Sequence, residues 1–464
     1  MSLFPISRVM GSEPIAPKPE DAMPTHAHFR HLPDARKGGS GVLPRLRPAL
    51  VLFHRWVGLV MAGFLLIAGL TGSVLAWNDE LEAAINPTLY RVAPPTDGTP
   101  PLDPLVLRER VLARYPGTAI RYVPLGVEPG QPWWFFLEMR PDPATGNTRE
   151  LANDQVFMNP YSGAVLGERK WGDITQGMKN LMPFLYRLHY SLALDVVGSY
   201  AFGIIALLWT LDCFVGAYLT FPARVRAAPG TAAKAGGAAW LTRWSAAWKV
   251  RWRGGSYKVH FDLHRAGGLW PWAMLLVLAW SSVAFNLSEV YSPVMRAVFA
   301  HQPAEESVPK LASPQWEPGV PWMAAREIGR RYMAAQAHQV GFTIQQEDAL
   351  IYFPTHGLYR YDVRSNRDIR DHGGNTQVYF DANTGALQAA WLPTGAASGD
   401  TIRMWITSLH MAALWGVPLK LFICALGLAV AMLSVTGVVI WFKKRRARIQ
   451  SAAREVTAPV AAAL

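Results

Sequence analysis

The sequence predicts a membrane protein: an α-helical four-helix transmembrane bundle that carries two α+β domains on one side of the membrane. Three observations lead to this fold class. Of the 464 residues, 51% are apolar, and the mean hydropathy is positive. Long uncharged spans alternate with long polar segments. The second half of the chain also repeats the pattern of the first, so each half is predicted to be one unit: a membrane helix, an α+β domain and a second membrane helix.

The first membrane helix is predicted over residues 50–77. His54 and Arg55 stand at its start, before the 22 uncharged residues 56–77. At about 1.5 Å per residue such a span crosses a bilayer core. An ionisable pair at the mouth of a membrane span is costly and marks a candidate functional site. Because the span begins well inside the chain and lacks a convincing cleavage pattern, we expect an uncleaved anchor.

The segment 78–188 is predicted to form the first α+β domain. Asp103 followed by Pro104 is typical of a helix start, and the helix is expected to stop at residues 115–117. Strands are predicted at the aromatic-rich runs 119–125, 133–139 and 155–158, before a turn at 159–163. One helix with several antiparallel strands is an α+β arrangement.

The second membrane helix is predicted over 189–221, beginning at His189, and is followed by a cytoplasmic loop over 222–262. Tryptophans recur every four residues in this loop, at Trp240, Trp244, Trp248 and Trp252. Their spacing among basic residues predicts an amphipathic helix on the inner membrane surface. Nucleic-acid binding is the rival interpretation, and the position of the loop between two membrane helices argues against it.

The second half repeats these elements in the same order. We predict membrane helix 3 over 263–288, the second α+β domain over 289–409, membrane helix 4 over 410–442 and a tail over 443–464. Within the domain, a helix is expected around 323–334 and strands at 350–353 and 359–363. Equal spacings support the duplication: His189 precedes Gly216 by 27 residues and His410 precedes Gly437 by 27, while Gln155 precedes Gly163 by eight residues and Gln377 precedes Gly385 by eight.

The distribution of charge predicts the orientation. The segments 1–49, 222–265 and 443–464 carry 22 Lys and Arg against 6 Asp and Glu, whereas 78–195 and 287–419 carry 21 against 26. Basic residues near membrane helices stay in the cytoplasm. Both termini and the middle loop are therefore expected in the cytoplasm, with both α+β domains outside. The net charge of +12 follows from this topology and does not indicate a nucleic-acid partner.

The N-terminal tail, residues 1–49, is predicted to be mostly disordered, because it is rich in Pro, Gly and basic residues without periodicity. Three histidines in it resemble a small metal-binding tract, although a solvated tail is the favoured interpretation: His26, His28 and His31. Cys213 and Cys424 both lie in apolar spans, so neither a disulfide framework nor a cysteine metal site is expected.

Four histidines head the predicted membrane helices. His54 and His264 start helices that leave the cytoplasm, and His189 and His410 start helices that return to it. Pairs across the two halves should therefore lie at equal depth, related by a two-fold axis along the membrane normal. Two facing histidines between helices can supply both axial ligands of a haem. Two such haems would form a path for electrons across the bilayer.

Further polar residues surround these histidines. Arg55 and Arg265 are candidates for pairing with haem propionates. His260 lies four residues before His264 and competes with it as the ligand if the helix starts early. Asp212 lies inside the second span, where a hydrogen bond to a neighbouring helix is the favoured role; proton handling or pairing with Arg55 is the alternative. Interfacial histidines also occur with no ligand role, which remains the alternative for all four.

These motifs resemble the PepSY-associated membrane-helix family and, within it, ferric-siderophore reductases of the FoxB type. The resemblance covers about 45–446 and rests on His54-Arg55-x-x-Gly58, His264-Arg265-x-x-Gly268, the Leu-His pairs at 188–189 and 409–410, the helix endings Val215-Gly216 and Thr436-Gly437, and the turns at Gly163 and Gly385. It implies a bacterial inner-membrane protein with four helices, two periplasmic PepSY-like domains and bound haem b, here two bis-histidine haems. Siderophore-linked members reduce Fe(III) in a captured siderophore, which weakens the chelate.

Three functions are compatible with these features of the sequence. The first is a ferric-siderophore reductase that passes electrons across the membrane. The second is a non-redox module whose PepSY-like domains bind or inhibit a partner, and the third is a haem electron-transfer subunit for another periplasmic reductase. The chain has no Gly-x-Gly-x-x-Gly motif after a strand, and its inner loop of about 40 residues is too short for a nucleotide-binding domain. The electron donor is therefore expected to be a separate protein or a membrane quinol.

Overall fold

The computed structural model describes residues 43–142, 144–222, 237–303 and 308–461, so the tract of His26, His28 and His31 lies outside the described residues. The first half comprises α1 (Leu43–Leu75), α2 (Asn78–Ile85), α3 (Pro87–Tyr90), α4 (Pro104–Arg114), β1 (Thr118–Ala119), β2 (Tyr122–Pro124), β3 (Trp133–Phe136), β4 (Glu138–Met139), β5 (Gln155–Met158), β6 (Val165–Arg169), α5 (Leu181–Ser191) and α6 (Asp195–Thr220). The second half comprises α7 (Gly237–Ser245), α8 (Ser256–Leu269), α9 (Trp272–Asn286), α10 (Ser288–Val298), α11 (Trp322–Val340), β7 (Ile344–Phe353), β8 (Leu358–Ser365), β9 (Thr376–Asp381), β10 (Leu387–Trp391), α12 (Ser398–His410) and α13 (Val417–Ala461).

Within the described part of the chain, three helices are long and apolar enough to cross a membrane: α1, α6 and α13. The third predicted membrane helix, 263–288, is wrong as a single helix. Its residues belong to α8 and α9, which meet at a bend of 69° and count as a fourth span only if they are taken together. Pro271 lies at the bend, and a proline supplies no N–H for the hydrogen bond that would continue the helix.

The second and fourth membrane helices also start later than predicted. His189 lies near the end of α5, and His410 is the last residue of α12. Left-handed backbone at Leu192 (φ 52°) and Ala412 (φ 51°) follows these helices, before α6 and α13 begin. Both histidines therefore lie on short helices that pack beside the membrane helices, α5 against α1 and α12 against α9.

The two halves pack against each other along α1 with α13 and along α6 with α9. The first of these contacts is closest at Gly69 and Gly427. A Cβ atom on Gly427 would lie 2.4 Å from the carbonyl oxygen of Gly69. Ser73 Oγ donates to the carbonyl oxygens of Gly69 (2.8 Å) and Cys424 (3.0 Å), which joins the helices further. Small residues allow such close approach of membrane helices.

The α+β segments form one body instead of two separate domains, which corrects the predicted division into 78–188 and 289–409. Strand β2 of the first half pairs antiparallel with β7 of the second half. The resulting sheet has the order β10-β9-β8-β7-β2, and a smaller sheet has the order β3-β5-β6. A shared core takes residues from both halves, among them Leu107, Val123, Phe135, Leu350, Tyr361 and Phe380. We call this unit the α+β body; its shared core means that each half buries apolar side chains against the other.

Charged side chains also join the two halves of the α+β body. Asp103 caps α4 as predicted, because its carboxylate accepts from the N–H of Leu105 at 2.8 Å. The same carboxylate accepts from Arg326 on α11 at 2.7 Å. Arg326 donates in turn to Glu347 on β7 at 3.0 Å. The helix cap of the first half is thus tied to the sheet of the second half.

The amphipathic helix predicted in the loop 222–262 is shorter than expected. α7 carries Trp240 and Trp244, a 3-10 turn over Ala246–Trp248 follows it, and Trp252 lies beyond both. The tryptophans contact one another in series, with ring centres 5.4 Å apart for the first two and 5.3 Å apart for Trp244 and Trp248. Trp248 then contacts Trp270 at the bend, at 5.1 Å. This series packs the described part of the loop against the junction of α8 and α9.

Replacing Gly427 with Val should destabilise the contact between α1 and α13, because the added atoms meet the backbone of α1. Overpacking of this kind costs about 1–3 kcal/mol. The thermal midpoint of the detergent-purified protein, followed by size exclusion of heated samples, should fall. Gly63→Val is the matched control, since nothing lies within 4 Å of a Cβ at Gly63. Equal midpoints for the two variants would contradict the close crossing.

Glu347 should make the stability of the α+β body depend on acid pH. Burial alone would raise its pKa, but hydrogen bonds from Arg326, Arg330 and Tyr361 outweigh burial and lower the pKa from 4.5 to about 2. Because the folded-state pKa is the lower one, this stabilisation is present above pH 4.5 and is lost as the pH falls towards 2. Glu347→Gln should reduce the loss of folding stability that occurs as the pH falls from 4.5 towards 2.

The measurement for Glu347→Gln is the thermal midpoint as a function of pH. Glu327→Gln is the control, because Glu327 is more exposed and contacts only one of the same arginines, Arg330. Its loss of stability at acid pH should match that of the unmodified protein. An unchanged loss of stability at acid pH in Glu347→Gln would show that the pKa of Glu347 is not lowered.

Candidate functional site

The four histidines expected at the membrane helices form two pairs. In the first pair, His54 on α1 faces His264 on α8, with ring centres 6.0 Å apart. In the second pair, His189 on α5 faces His410 on α12, with ring centres 6.2 Å apart. Along α1, 17 residues separate His54 from Thr71, which contacts His189, so the pairs lie about 25 Å apart along this helix. The structure thus brings together the residues that the repeat paired, in two layers.

Each ring of the first pair has a hydrogen-bond acceptor on the neighbouring helix of its own half. His54 Nδ1 lies 2.9 Å from both carboxylate oxygens of Asp212 on α6. His264 Nδ1 lies 3.0 Å from the carbonyl oxygen of Leu433 on α13 and 3.2 Å from Thr436 Oγ1. Asp212 and Leu433 are 221 residues apart, the same offset that separates the second-pair histidines. They therefore occupy equivalent positions of the repeat.

The second pair follows the same arrangement with hydroxyl groups. His189 Nδ1 lies 3.0 Å from Thr71 Oγ1 on α1, and His410 Nδ1 lies 2.7 Å from Ser281 Oγ on α9. Each hydroxyl donates its own hydrogen to a backbone carbonyl one turn earlier, at 2.6 Å for Thr71 and 2.7 Å for Ser281. Its oxygen is thereby left to accept from the imidazole. Thr71 and Ser281 also lie 17 residues after His54 and His264.

These contacts fix the tautomer of all four rings. A carboxylate and a carbonyl oxygen can only accept a hydrogen bond. The two hydroxyls already donate their hydrogen to a backbone carbonyl, so they too accept from the ring. Nδ1 is therefore the nitrogen that carries the proton in each histidine. Nε2 then keeps its lone pair. Histidines that bind metals characteristically donate their other ring N–H to such an acceptor. Each Nε2 is therefore chemically able to act as a metal ligand.

The separation of the ring centres within each pair is compatible with a metal ion that both rings would hold. A metal–imidazole bond of about 2 Å on each side places the two ring centres roughly 6 Å apart. The observed separations are 6.0 and 6.2 Å. In the described ranges, no group of three or more His, Cys, Asp or Glu is suited to a metal ion. Each pair offers two protein ligands, the number that a six-coordinate haem would take, because the macrocycle supplies the other four.

Glycines of neighbouring helices lie directly against three of the four rings. A Cβ atom on Gly72 would lie 3.0 Å from Cε1 of His189, and one on Gly437 would lie 3.2 Å from Cε1 of His264. Gly216 stands beside His54 in the same way, at 3.8 Å. Gly216 and Gly437 are the helix endings whose equal spacing the sequence displays. The glycines thus let the backbones of neighbouring helices approach the histidine rings closely.

The two arginines beside the first pair differ in their surroundings. Arg265 donates to the carboxylate of Asp262 at 3.0 Å and to the carbonyl oxygen of Ala246 at 2.7 Å. Arg55 is half-buried and forms no ion pair with another residue in the part of the chain that the structure describes. Of the two arginines, Arg265 is therefore the one held by an ion pair among the described residues. Pairing of either arginine with a haem propionate stays a prediction.

Two residues left open by the sequence now have positions. His260 stays apart from the first pair, since its Nδ1 lies 2.6 Å from the carbonyl oxygen of Ser256 within α8. Asp212 hydrogen-bonds to His54 and not to Arg55, which the sequence had considered as its partner. The signal that was available is its spacing: Asp212 lies four residues before Gly216, on the same face of α6, and Gly216 adjoins His54. The hydroxyls of Thr71 and Ser281 were not recognised at all.

Comparison with known proteins places this architecture in a family. The model of the PepSY-associated TM region matches residues 51–444, a range that includes both histidine pairs and the whole α+β body. None of the curated proteins matches the chain. Because the match covers most of the sequence, the chain belongs to the PepSY-associated transmembrane family.

Proposed function

We propose that this membrane protein holds two haem b groups, one in each histidine pair, and passes electrons across the membrane to Fe(III) in a siderophore. One observation carries the proposal: all four histidines have Nδ1 engaged with an acceptor and stand in pairs whose ring centres are 6.0 and 6.2 Å apart. Two such pairs at two depths supply sites at both ends of a path through the helix bundle.

The chain's own residues have distinct roles in this proposal. His54 and His264 would hold one haem, and His189 and His410 the other. When bound, a haem supplies a one-electron Fe(III)/Fe(II) couple. The acceptors of the Nδ1 protons, such as Asp212, orient the rings and keep Nε2 unprotonated. All four histidines are half-buried between the helices.

The siderophore iron is the substrate. Each Fe(III) accepts one electron and leaves as Fe(II), which binds the hard oxygen ligands of a siderophore poorly. A quinol donor releases two electrons and two protons and would therefore reduce two Fe(III) ions. A separate reduced protein is the other class of donor.

The basic end of α13 supports the proposed orientation. Lys443, Lys444, Arg445 and Arg446 follow its apolar part, and basic residues at a helix end stay in the cytoplasm. The first pair then lies at the cytoplasmic side of the bacterial inner membrane. The second pair lies at the periplasmic side, next to the α+β body.

The purified protein should contain two haems per chain and give a low-spin, bis-histidine spectrum after reduction with dithionite. His54→Ala and His189→Ala should each lower the haem content from two to one, because each variant removes a ligand from a different pair. The pyridine haemochrome assay gives the haem content. His260→Ala is the control and should retain two haems.

A haem content of two in His54→Ala or His189→Ala would contradict the pairing of histidines. A colourless protein, even after haem is supplied during expression, would contradict the redox function. The chain would then act as a non-redox module that binds a partner through its α+β body.

The reduced protein should be reoxidised by a ferric siderophore under anaerobic conditions, with one Fe(II) formed per electron. Stopped-flow absorbance gives the rate, and an Fe(II) chelator gives the yield. His410→Ala should lose the second haem and slow reoxidation by about tenfold or more, because even the loss of an outer-shell partner of a metal ligand costs about 10–100-fold. The gallium complex of the same siderophore is the control, because Ga(III) does not accept an electron. Haems that no ferric siderophore reoxidises would favour an electron-transfer subunit for another reductase.

A further inference from the structure

One buried carboxylate distinguishes the first histidine pair from the second. Asp212 is 7% exposed, and both of its carboxylate oxygens lie 2.9 Å from His54 Nδ1. At the equivalent position of the repeat stands Leu433, which offers His264 only its backbone carbonyl. The acceptors of the second pair are the hydroxyls of Thr71 and Ser281. Asp212 is thus the acceptor that carries a charge among those contacting the four rings.

The charge of Asp212 is directed at the imidazole. No Lys or Arg forms an ion pair with Asp212 in the described ranges, and Arg55, the nearest basic residue in sequence to His54, is not its partner. A carboxylate in an apolar span is costly without a hydrogen-bond partner. The N–H of His54 supplies that partner, so the half-buried ring and the buried carboxylate form one hydrogen-bonded unit.

The hydrogen bond to Asp212 would change how strongly His54 donates to a haem iron. A carboxylate that accepts the ring N–H makes the imidazole more basic and a stronger donor to the metal. A stronger donor and a nearby negative charge both stabilise Fe(III) relative to Fe(II), which lowers the reduction potential. The low dielectric inside a helix bundle screens this charge only weakly. Neutral hydroxyl and carbonyl acceptors exert the same effects to a smaller degree.

We propose that Asp212 acts through His54 as a positioning residue that sets the first pair at a lower reduction potential than the second pair. Electrons then run downhill from His54 and His264 to His189 and His410, towards the α+β body. This inference rests on the proposed function, because it requires a haem in each pair. It adds a direction that two equivalent pairs would lack.

The test is a potentiometric titration of the purified holoprotein, followed by haem absorbance. The unmodified protein should give two separate midpoints. In Asp212→Asn, which keeps the size and an acceptor oxygen but removes the charge, the lower midpoint should rise towards the upper one. The upper midpoint and the haem content of two should stay unchanged. Titration of His189→Ala, which should retain only the first pair's haem, assigns the lower midpoint to that pair.

Two further variants separate charge from packing. Asp212→Glu retains the charge and should keep the lower midpoint closer to that of the unmodified protein than Asp212→Asn does. Thr436→Val removes an uncharged acceptor near His264 while the carbonyl of Leu433 remains, and it should shift the lower midpoint much less than Asp212→Asn does. A shift in Asp212→Glu as large as that in Asp212→Asn would overturn the role of charge.

The outcomes also separate this inference from the proposed function. If the unmodified protein binds two haems and Asp212→Asn shifts neither midpoint, or shifts both equally, the inference about Asp212 is wrong and the proposed function stands. Loss of the first haem in Asp212→Asn but not in Asp212→Glu would show that the charge retains the ligand and does not set the potential. An unmodified protein without haem overturns both proposals.

Discussion

A neutral imidazole inside a bundle of membrane helices needs an acceptor for its N–H, because hydrocarbon offers none. The structure meets this need four times with a group from a neighbouring helix of the same half, such as Asp212 for His54 and Ser281 for His410. Contacts within each half, α1 with α5 and α6, and α9 with α12, therefore orient the rings. Contacts between the halves, α1 with α13 and α6 with α9, bring the oriented rings face to face. The same helix contacts therefore hold the bundle together and orient the four imidazole rings.

The departures from the repeat are as informative as the repeat itself. His54 lies within one continuous helix, whereas its counterpart His264 lies on α8, beyond the bend that separates α8 from α9. The bend still leaves the two rings 6.0 Å apart. Asp212 and Leu433 occupy matching positions and serve the same type of ring nitrogen, one with a charged side chain and one with the backbone. The two halves thus share one arrangement of helices, and differences at single positions, such as Asp212 and Leu433, make the histidine pairs unequal.

Local signals in the sequence predicted local structure well. Asp103 and Pro104 gave the start of α4, and β5 spans the predicted residues 155–158. The repeat predicted which histidines lie together. Features that depend on distant contacts were not predictable: β2 pairs with β7 across more than 200 residues, and the end of α5 rests on left-handed backbone at Leu192, where no glycine marks it. Pro271 was a visible signal of the bend, but the apolar run around it favoured a continuous helix.

The ladder between β2 and β7 restricts how the protein can move. Many duplicated membrane proteins carry solutes by alternating access, in which one repeat rocks against the other and opens a central site to each side in turn. Here that rocking would have to part the β2–β7 pairing and divide a core built by both halves. The α+β body therefore links the two halves of the repeat outside the helix bundle. The pairing of β2 with β7 therefore favours a bundle whose two halves keep one arrangement.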